Sequence, residues 1–319
     1  MPEIHAPGPG RPFAVVHRAG ESALEGLSRE SVDAMLRDHG AVLIRGFPPD
    51  LDAFRHFSSR FCDHWVVNEV PNRGMLDPTH DIQSVDLGKK PFPFHSEISR
   101  APWRPDVCFF YCMKPPSSGG ETLICDGVAV ARALPAEVRD GLAPLRLVYT
   151  ERARRGELAY WLGTETPSPA QLASPPADCP FLFVRGQRGI FRIFSRPALH
   201  KPLFGDALAF ANFLLFARDM RGTRAYPTLS DGRPVPDDWV DAIRQTCAQL
   251  AAPVTWREGD LLILDNSRFM HGRNAIADPD ARVIASRFGY LKNAPTNPDE
   301  PANPIWRREA FIPPGYSAE

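Results

Sequence analysis

Apolar residues along this chain follow two rhythms. In residues 28–39 Val32, Met35 and Leu36 make a compact stripe and Gly40 follows, which predicts a helix and its stop. Phe54, Phe57 and Phe61 fall three and four apart in 51–61 and predict a second helix. Further helices are expected around 127–134, over 206–220 with Asp206 as N-cap, and over 237–250, where Trp239, Ile243, Cys247 and Leu250 share a face. The second rhythm is one of short apolar runs bounded by Gly and Pro. Strands are expected at 41–44, 106–113, 121–125, 145–150, 181–184, 189–194, 253–256, 260–264 and 282–291. Residues 62–93 read as irregular and polar, with Asn68, Asn72, Arg73 and His80, and lead into a short strand at Phe94.

Many short strands with Gly/Pro turns favour a sandwich or barrel. The expectation is a mainly β fold with helical decoration, a double-stranded β-helix (jelly roll) with a cupin-like core. One domain over 1–319 is expected, with a helical insert at about 127–252.

Composition narrows the class. A formal net charge of −1 argues against a nucleic-acid binder. No apolar stretch approaches the ~18 residues that span a bilayer, and Met1 to His5 lacks the basic start and apolar run of a signal peptide. The chain therefore reads as cytoplasmic, without a membrane partner. Its six cysteines form no CxxC pair and read as free, mostly buried thiols. The 34 prolines are spread through connecting segments and suggest ordered loops.

The candidate chemistry lies in His95-Ser96-Glu97 and, far downstream, His271 and Arg282. Residues i and i+2 of a strand share a side, so one short segment could offer an imidazole and a carboxylate together. Two histidines and one carboxylate are the ligand set of a non-haem Fe(II) oxygenase. Alone, such a pair in a strand is more often structural, and a lone histidine after a strand is more often hydrogen-bonded than ligating. Pro91-Phe92-Pro93-Phe94 would set the pair beside an apolar pocket. Arg282 opens an apolar strand, and a buried guanidinium needs an anion, either a ligand carboxylate or a neighbour such as Asp278 or Asp280. Thr122, after Gly119-Gly120-Glu121, could donate to the same carboxylate or be a plain strand threonine.

Taken together, FHSE at 94–97, FFYCMKPPSSGGETLICD at 109–126, GDLLILDNSRFMHGR at 259–273, RVI at 282–284 and GAVLIRGF at 40–47 resemble the taurine dioxygenase and clavaminate synthase (TauD/TfdA) superfamily. The resemblance covers roughly residues 40–290. It implies an enzyme dependent on Fe(II), 2-oxoglutarate and O2, which oxidises a C–H bond while releasing succinate and CO2. It assigns His95, Glu97 and His271 to the metal, Arg282 to the distal carboxylate of 2-oxoglutarate, and Thr122 as its helper. Glu97 stands where the family more often has Asp. That resembles the branches acting on amino acids and natural-product intermediates, and it argues against halogenation, which needs a small residue there. The implied reaction is hydroxylation of an amino acid or biosynthetic intermediate, free or tethered to a carrier protein. Desaturation, cyclisation or epimerisation at the same metal site stay open, as do a non-catalytic jelly-roll binding protein and a zinc hydrolase. The resemblance also allows a homo-oligomer.

Substrate contacts are expected from Arg287, one residue off the family's usual substrate-binding arginine, and from Asn68, Arg73 and His80 in the loop before the ligand segment. Ile98, Trp103 and Phe194 are candidates for apolar pocket walls or for ordinary core.

Overall fold

The computed structural model describes residues 2–20, 23–68, 73–278, 282–295, 297–309 and 311–314. In chain order the first part holds β1 (Glu3–His5), β2 (Ala14–His17), α1 (Arg29–His39), β3 (Ala41–Arg45), α2 (Leu51–Ser59), β4 (Cys62–Trp65), β5 (Met75–Asp77), β6 (Ile82–Ser84), β7 (Phe92–His95), β8 (Val107–Lys114) and β9 (Thr122–Asp126). The middle holds α3 (Gly127–Ala133), α4 (Ala136–Leu142), β10 (Arg146–Arg152), α5 (Arg155–Leu162), α6 (Pro169–Ala173), β11 (Leu182–Gly186), β12 (Gly189–Pro197), α7 (Leu214–Arg221), β13 (Thr228–Leu229) and α8 (Asp237–Leu250). The last part holds β14 (Ala252–Val254), β15 (Leu261–Asp265), β16 (Phe269–Arg273) and β17 (Val283–Leu291).

A large sheet runs β1-β2-β3-β15-β8-β17-β6-β5, with β4 also paired to β17. Its central strands are buried on both faces, so they read as continuous apolar runs rather than alternating ones. Alternate residues still go opposite ways. Phe109, Tyr111, Leu261 and Ile263 pack toward α1 and α2 with Leu36, Phe54 and Phe57. Cys108, Phe110, Leu262, Leu264 and Phe288 face a second core shared with Ile124 and Phe269 of a four-stranded sheet, β14-β9-β16-β7. The outer face of that smaller sheet packs Cys125 and Met270 against Val130, Leu214, Ile243 and Cys247 of the middle segment.

Helix α1 begins and ends as its sequence predicts. Ser28 Oγ accepts from the Ser31 N–H at 3.2 Å, and Gly40 takes the left-handed C-terminal conformation (φ 75°) with its N–H on Leu36 O. Two expectations are corrected. The segment after α2 is not irregular, because β4, β5 and β6 are short strands completed by pairing along β17 and each other. The strands expected within the middle segment at 145–150, 181–184 and 189–194 are β10, β11 and β12, and with β13 they form a sheet of their own, β11-β12-β10-β13, beside its helices. Asp206 caps no helix: it is exposed and pairs with Lys201 at 3.1 Å. Helix α7 starts only at Leu214, whose N–H donates to Asn212 Oδ1 at 3.0 Å. All six cysteines are free thiols and five are buried. Among the described residues no helix is long and apolar enough to cross a membrane.

Candidate metal centre

His95 ends β7 and lies directly opposite His271 of β16, with ring centroids 4.4 Å apart. The two strands come this close because Gly272 has no side chain: a Cβ there would meet Phe92 O at 2.7 Å. His271 therefore sits inside a strand of its own rather than in a loop after β15. Glu97 is not on the ligand strand either; it opens a turn after Ser96. Asn266 pins that turn. Its Oδ1 accepts from the Glu97 N–H at 2.7 Å and from Ser96 Oγ at 3.1 Å. Its amide donates to Glu97 O and Pro105 O at 3.0 and 2.9 Å.

The Glu97 carboxylate consequently lies 3.3 Å from His271 Nε2 and 3.9 Å from His95 Nε2. One ligand atom from each of the three residues falls within 4.8 Å of the others. His95 Nδ1 sits 2.9 Å from Pro93 O, which places its hydrogen there and leaves Nε2 as a lone pair facing the cluster. Burial pushes the His95 imidazole down, and the neighbouring His271 pushes further, to about 3. Burial works to raise the Glu97 carboxyl, but Arg73, His271 and His95 outweigh it and hold it below the usual carboxylate range. A neutral imidazole beside an ionised carboxylate is the protonation state that metal ligation requires, so this donor set fits a divalent cation.

The triad stands between two cavities that share Arg73, Asp86, Phe92 and His95. The smaller is lined by Phe110, Thr122, His271, Arg273 and Arg282. Arg282 is 6% exposed, its Nε has no partner, and among the described residues its side chain makes no ion pair or hydrogen bond. Burial, then the nearby Arg273, lowers its pKa to about 10. Asp278 does not pair with it, and Asp280 lies outside the described residues. Thr122 Oγ accepts from Trp256 Nε1 at 3.1 Å. The larger cavity is walled by Phe92, Ile98, Trp103, Phe213 and Phe216 and edged by Arg100, Arg192 and Arg221. Ile98 holds a left-handed backbone (φ 53°), unusual for a β-branched residue, immediately after Glu97.

The expected substrate residues separate. Asn68 and Arg73 do reach the site, but they lie on the Glu97 carboxylate. Arg73 Nη2 is 3.2 Å from each oxygen and Asn68 Nδ2 donates to Oε1. Asn72 lies outside the described residues. Arg287 is directed away from the cavities, which corrects the expectation of a substrate role. Successive β17 residues point to opposite faces. Ser286 and Phe288 meet Arg73, whereas Arg287 donates to Ser58 Oγ, Ser59 Oγ and His80 O at 2.9, 2.8 and 2.9 Å and stacks on Trp65. His80 pairs with Asp77 at 2.7 Å and lines neither cavity. Ile98 and Trp103 are cavity walls, while Phe194 lines a separate pocket beside Trp306. Asn266, Phe213, Phe216 and the three edge arginines were not foreseen. Only the i, i+3 spacing of the two phenylalanines offered a signal.

The chain matches the family described as "Taurine catabolism dioxygenase TauD, TfdA family" over residues 11–288. A clavaminate synthase-like protein of Arabidopsis thaliana is 27% identical over 279 residues, covering 80% of this chain and 83% of the relative. The 3-((Z)-2-isocyanoethenyl)-1H-indole synthase of Fischerella ambigua is 24% identical over 288 residues, covering 86% and 91%. The solved structure of PvcB from Pseudomonas aeruginosa superposes with a TM-score of 0.60 at 15% identity, covering 93% of this chain and 94% of that one; this likeness is one of fold. PvcB is an Fe, α-ketoglutarate dependent oxygenase from an isonitrile synthetic pathway. With the match spanning most of its length, the chain belongs to the TauD/TfdA family of Fe(II)- and 2-oxoglutarate-dependent dioxygenases.

Proposed function

We propose that this enzyme hydroxylates an unactivated C–H bond of a small molecule, an amino acid or an amino-acid-derived biosynthetic intermediate, while converting 2-oxoglutarate to succinate and CO2. The observation that carries the reading is the meeting of His95, Glu97 and His271 between two cavities of different chemistry. The two facing sheets fit a jelly-roll core, and the middle segment reads as an elaboration of a single domain. The free thiols fit a cytoplasmic setting.

His95, Glu97 and His271 would hold Fe(II), which supplies the oxygen-activating chemistry when bound. Among the described residues Arg282 has no anion in contact, and it would take the far carboxylate of 2-oxoglutarate, with Thr122 beside it. Asn266 fixes the turn that aims Glu97. Arg73 and Asn68 orient the carboxylate and keep it ionised. Phe92, Phe213 and Phe216 surround the His95 ring and exclude water on the substrate side. No side-chain acid or base is needed in this scheme.

One observation favours a second outcome at the same site, desaturation: the Fischerella ambigua relative is named for an ethenyl product. The test is succinate formation from 2-oxoglutarate by Fe(II)-loaded protein, with product mass read out. Gain of one oxygen atom supports hydroxylation, and loss of two hydrogens supports desaturation. Absence of Fe(II)-dependent succinate formation removes the proposal.

A further inference from the structure

Far from one another in sequence, Arg100, Arg192 and Arg221 meet at one end of the larger cavity. All three bind the same carboxylate. Arg100 Nη1 is 2.9 Å from Glu151 Oε1, Arg192 Nη2 is 2.7 Å from Oε2, and Arg221 Nη2 is 3.1 Å from Oε1. Tyr226 Oη donates to Oε1 at 2.8 Å. Glu151 is thus fully engaged, and it is not among the residues lining the cavity. The arginines, and not this carboxylate, line the open space. Each also sits over an aromatic ring: Arg100 over Phe213 at 5.7 Å, Arg192 over Phe181 at 5.0 Å and Arg221 over Tyr226 at 4.0 Å. Arg192 has a second anchor in Glu157 at 3.0 Å.

Such a device is preorganised. The rear carboxylate and the aromatic faces fix the planar groups, so little side-chain freedom is left to lose when an anion docks on their front. Guanidinium geometry suits a carboxylate, and the rear of the cluster already holds one. Arg100 lies over the Phe213 ring, whose centroid is 6.0 Å from that of His95. The cationic end is therefore one aromatic ring away from the candidate metal ligands. Besides Glu97 and Asp86, the described cavity lining has no carboxylate, whereas Arg73 adds a fourth guanidinium.

We propose that Arg100, Arg192 and Arg221 form a substrate subsite for a free carboxylate, so that the substrate enters as an acid with that group at the arginine end and its oxidisable carbon toward His95. This rests on the dioxygenase reading above and deepens it by naming the substrate class. It disfavours a substrate whose carboxyl is tied up as a carrier thioester.

The test uses the full chain with Fe(II) and 2-oxoglutarate under anaerobic conditions. Formation of that ternary complex, read by its visible absorption before any further compound is added, checks the dioxygenase reading independently. The probes are the common L-amino acids and their N-formyl derivatives, each as free acid and as primary amide. Binding is read by the change in visible absorption and by thermal shift. Acids are expected to bind and their amides are not. Arg221→Gln and Arg192→Gln are expected to weaken the best acid about tenfold or more, as loss of a charge-assisted contact implies, and Arg221→Lys is expected to retain most of the affinity. Arg221 is half-exposed at the end of α7, so its variant tests the subsite even if the Arg192 variant does not fold. Arg188→Gln, on the exposed turn between β11 and β12, is the control and should bind as the unaltered protein does. Equal binding of acids and amides, no binding by any probe, or unchanged affinity in Arg221→Gln overturns the proposal.

Discussion

Replacing Arg282 with Met should separate two effects that usually travel together. The side chain is buried, its Nε is unpartnered, and burial lowers its pKa to about 10. Without 2-oxoglutarate it is a desolvated cation with no carboxylate at ion-pair distance among the described residues, so its removal breaks no ion pair. An apolar replacement of similar length should leave ligand-free stability within about 1 kcal/mol or raise it. With 2-oxoglutarate the balance reverses. A charge-assisted contact to a carboxylate is worth roughly 1.5–3 kcal/mol, which corresponds to about 10- to 100-fold in affinity. At a ligand concentration near 100 times the dissociation constant, the unaltered protein gains about 2.7 kcal/mol of stability. A 100-fold weaker variant gains only about 0.4 kcal/mol at the same concentration. The assay is urea denaturation with Mn(II), with and without 2-oxoglutarate, alongside the KM for 2-oxoglutarate in the Fe(II) enzyme. A variant that loses several kcal/mol without ligand yet keeps the ligand-induced gain would show that Arg282 is structural.

Asn266→Ala should lower stability by about 3 kcal/mol or more, because the Glu97 N–H, Glu97 O and Pro105 O lose buried partners. It should also weaken metal binding, both read by denaturation and equilibrium dialysis. Arg287→Met should lower stability by about 2–4 kcal/mol through its lost bonds to Ser58, Ser59 and His80 O, while KM for substrate and 2-oxoglutarate stays unchanged. Burial works to raise the Glu151 carboxyl, but Arg100, Arg192, Tyr226 and Arg221 outweigh it and bring it from 4.5 to about 2. The unfolded chain therefore takes up this proton first, so the contribution is complete above pH 4.5 and is lost as pH falls toward 2. Glu151→Gln should remove on the order of 2 kcal/mol at neutral pH and flatten stability across that acid window, measured by denaturation at a series of pH values.

The central strands and the metal candidates were legible for physical reasons. Strands β3, β8, β15 and β17 are buried on both faces, so their sequences are unbroken apolar runs. His95 and Glu97 stood out through their spacing, although a turn pinned by Asn266, not strand alternation, brings them together. Strands β4 to β6 were not legible because they are only three or four residues long, with no sustained apolar run or alternation, and their order comes largely from pairing with β17, distant in sequence. Residues 206–213 mimic the first turns of a helix, but the Ala209–His200 bridge and Asn212 hold them extended or bent beside the site. Asn68 and Arg73 were picked out for position in a loop, and only the structure shows that they lie on Glu97. The edge arginines had no sequence signal at all, since three separate elements bring them to one carboxylate.

Equilibrium dialysis of Fe(II) under anaerobic conditions tests the central claim most directly, applied to the unaltered chain and to His95→Ala, Glu97→Ala and His271→Ala. One ferrous ion per folded chain, lost or strongly weakened in each of the three variants while their circular dichroism is unchanged, is the predicted result. Undiminished iron binding in any folded variant would contradict it.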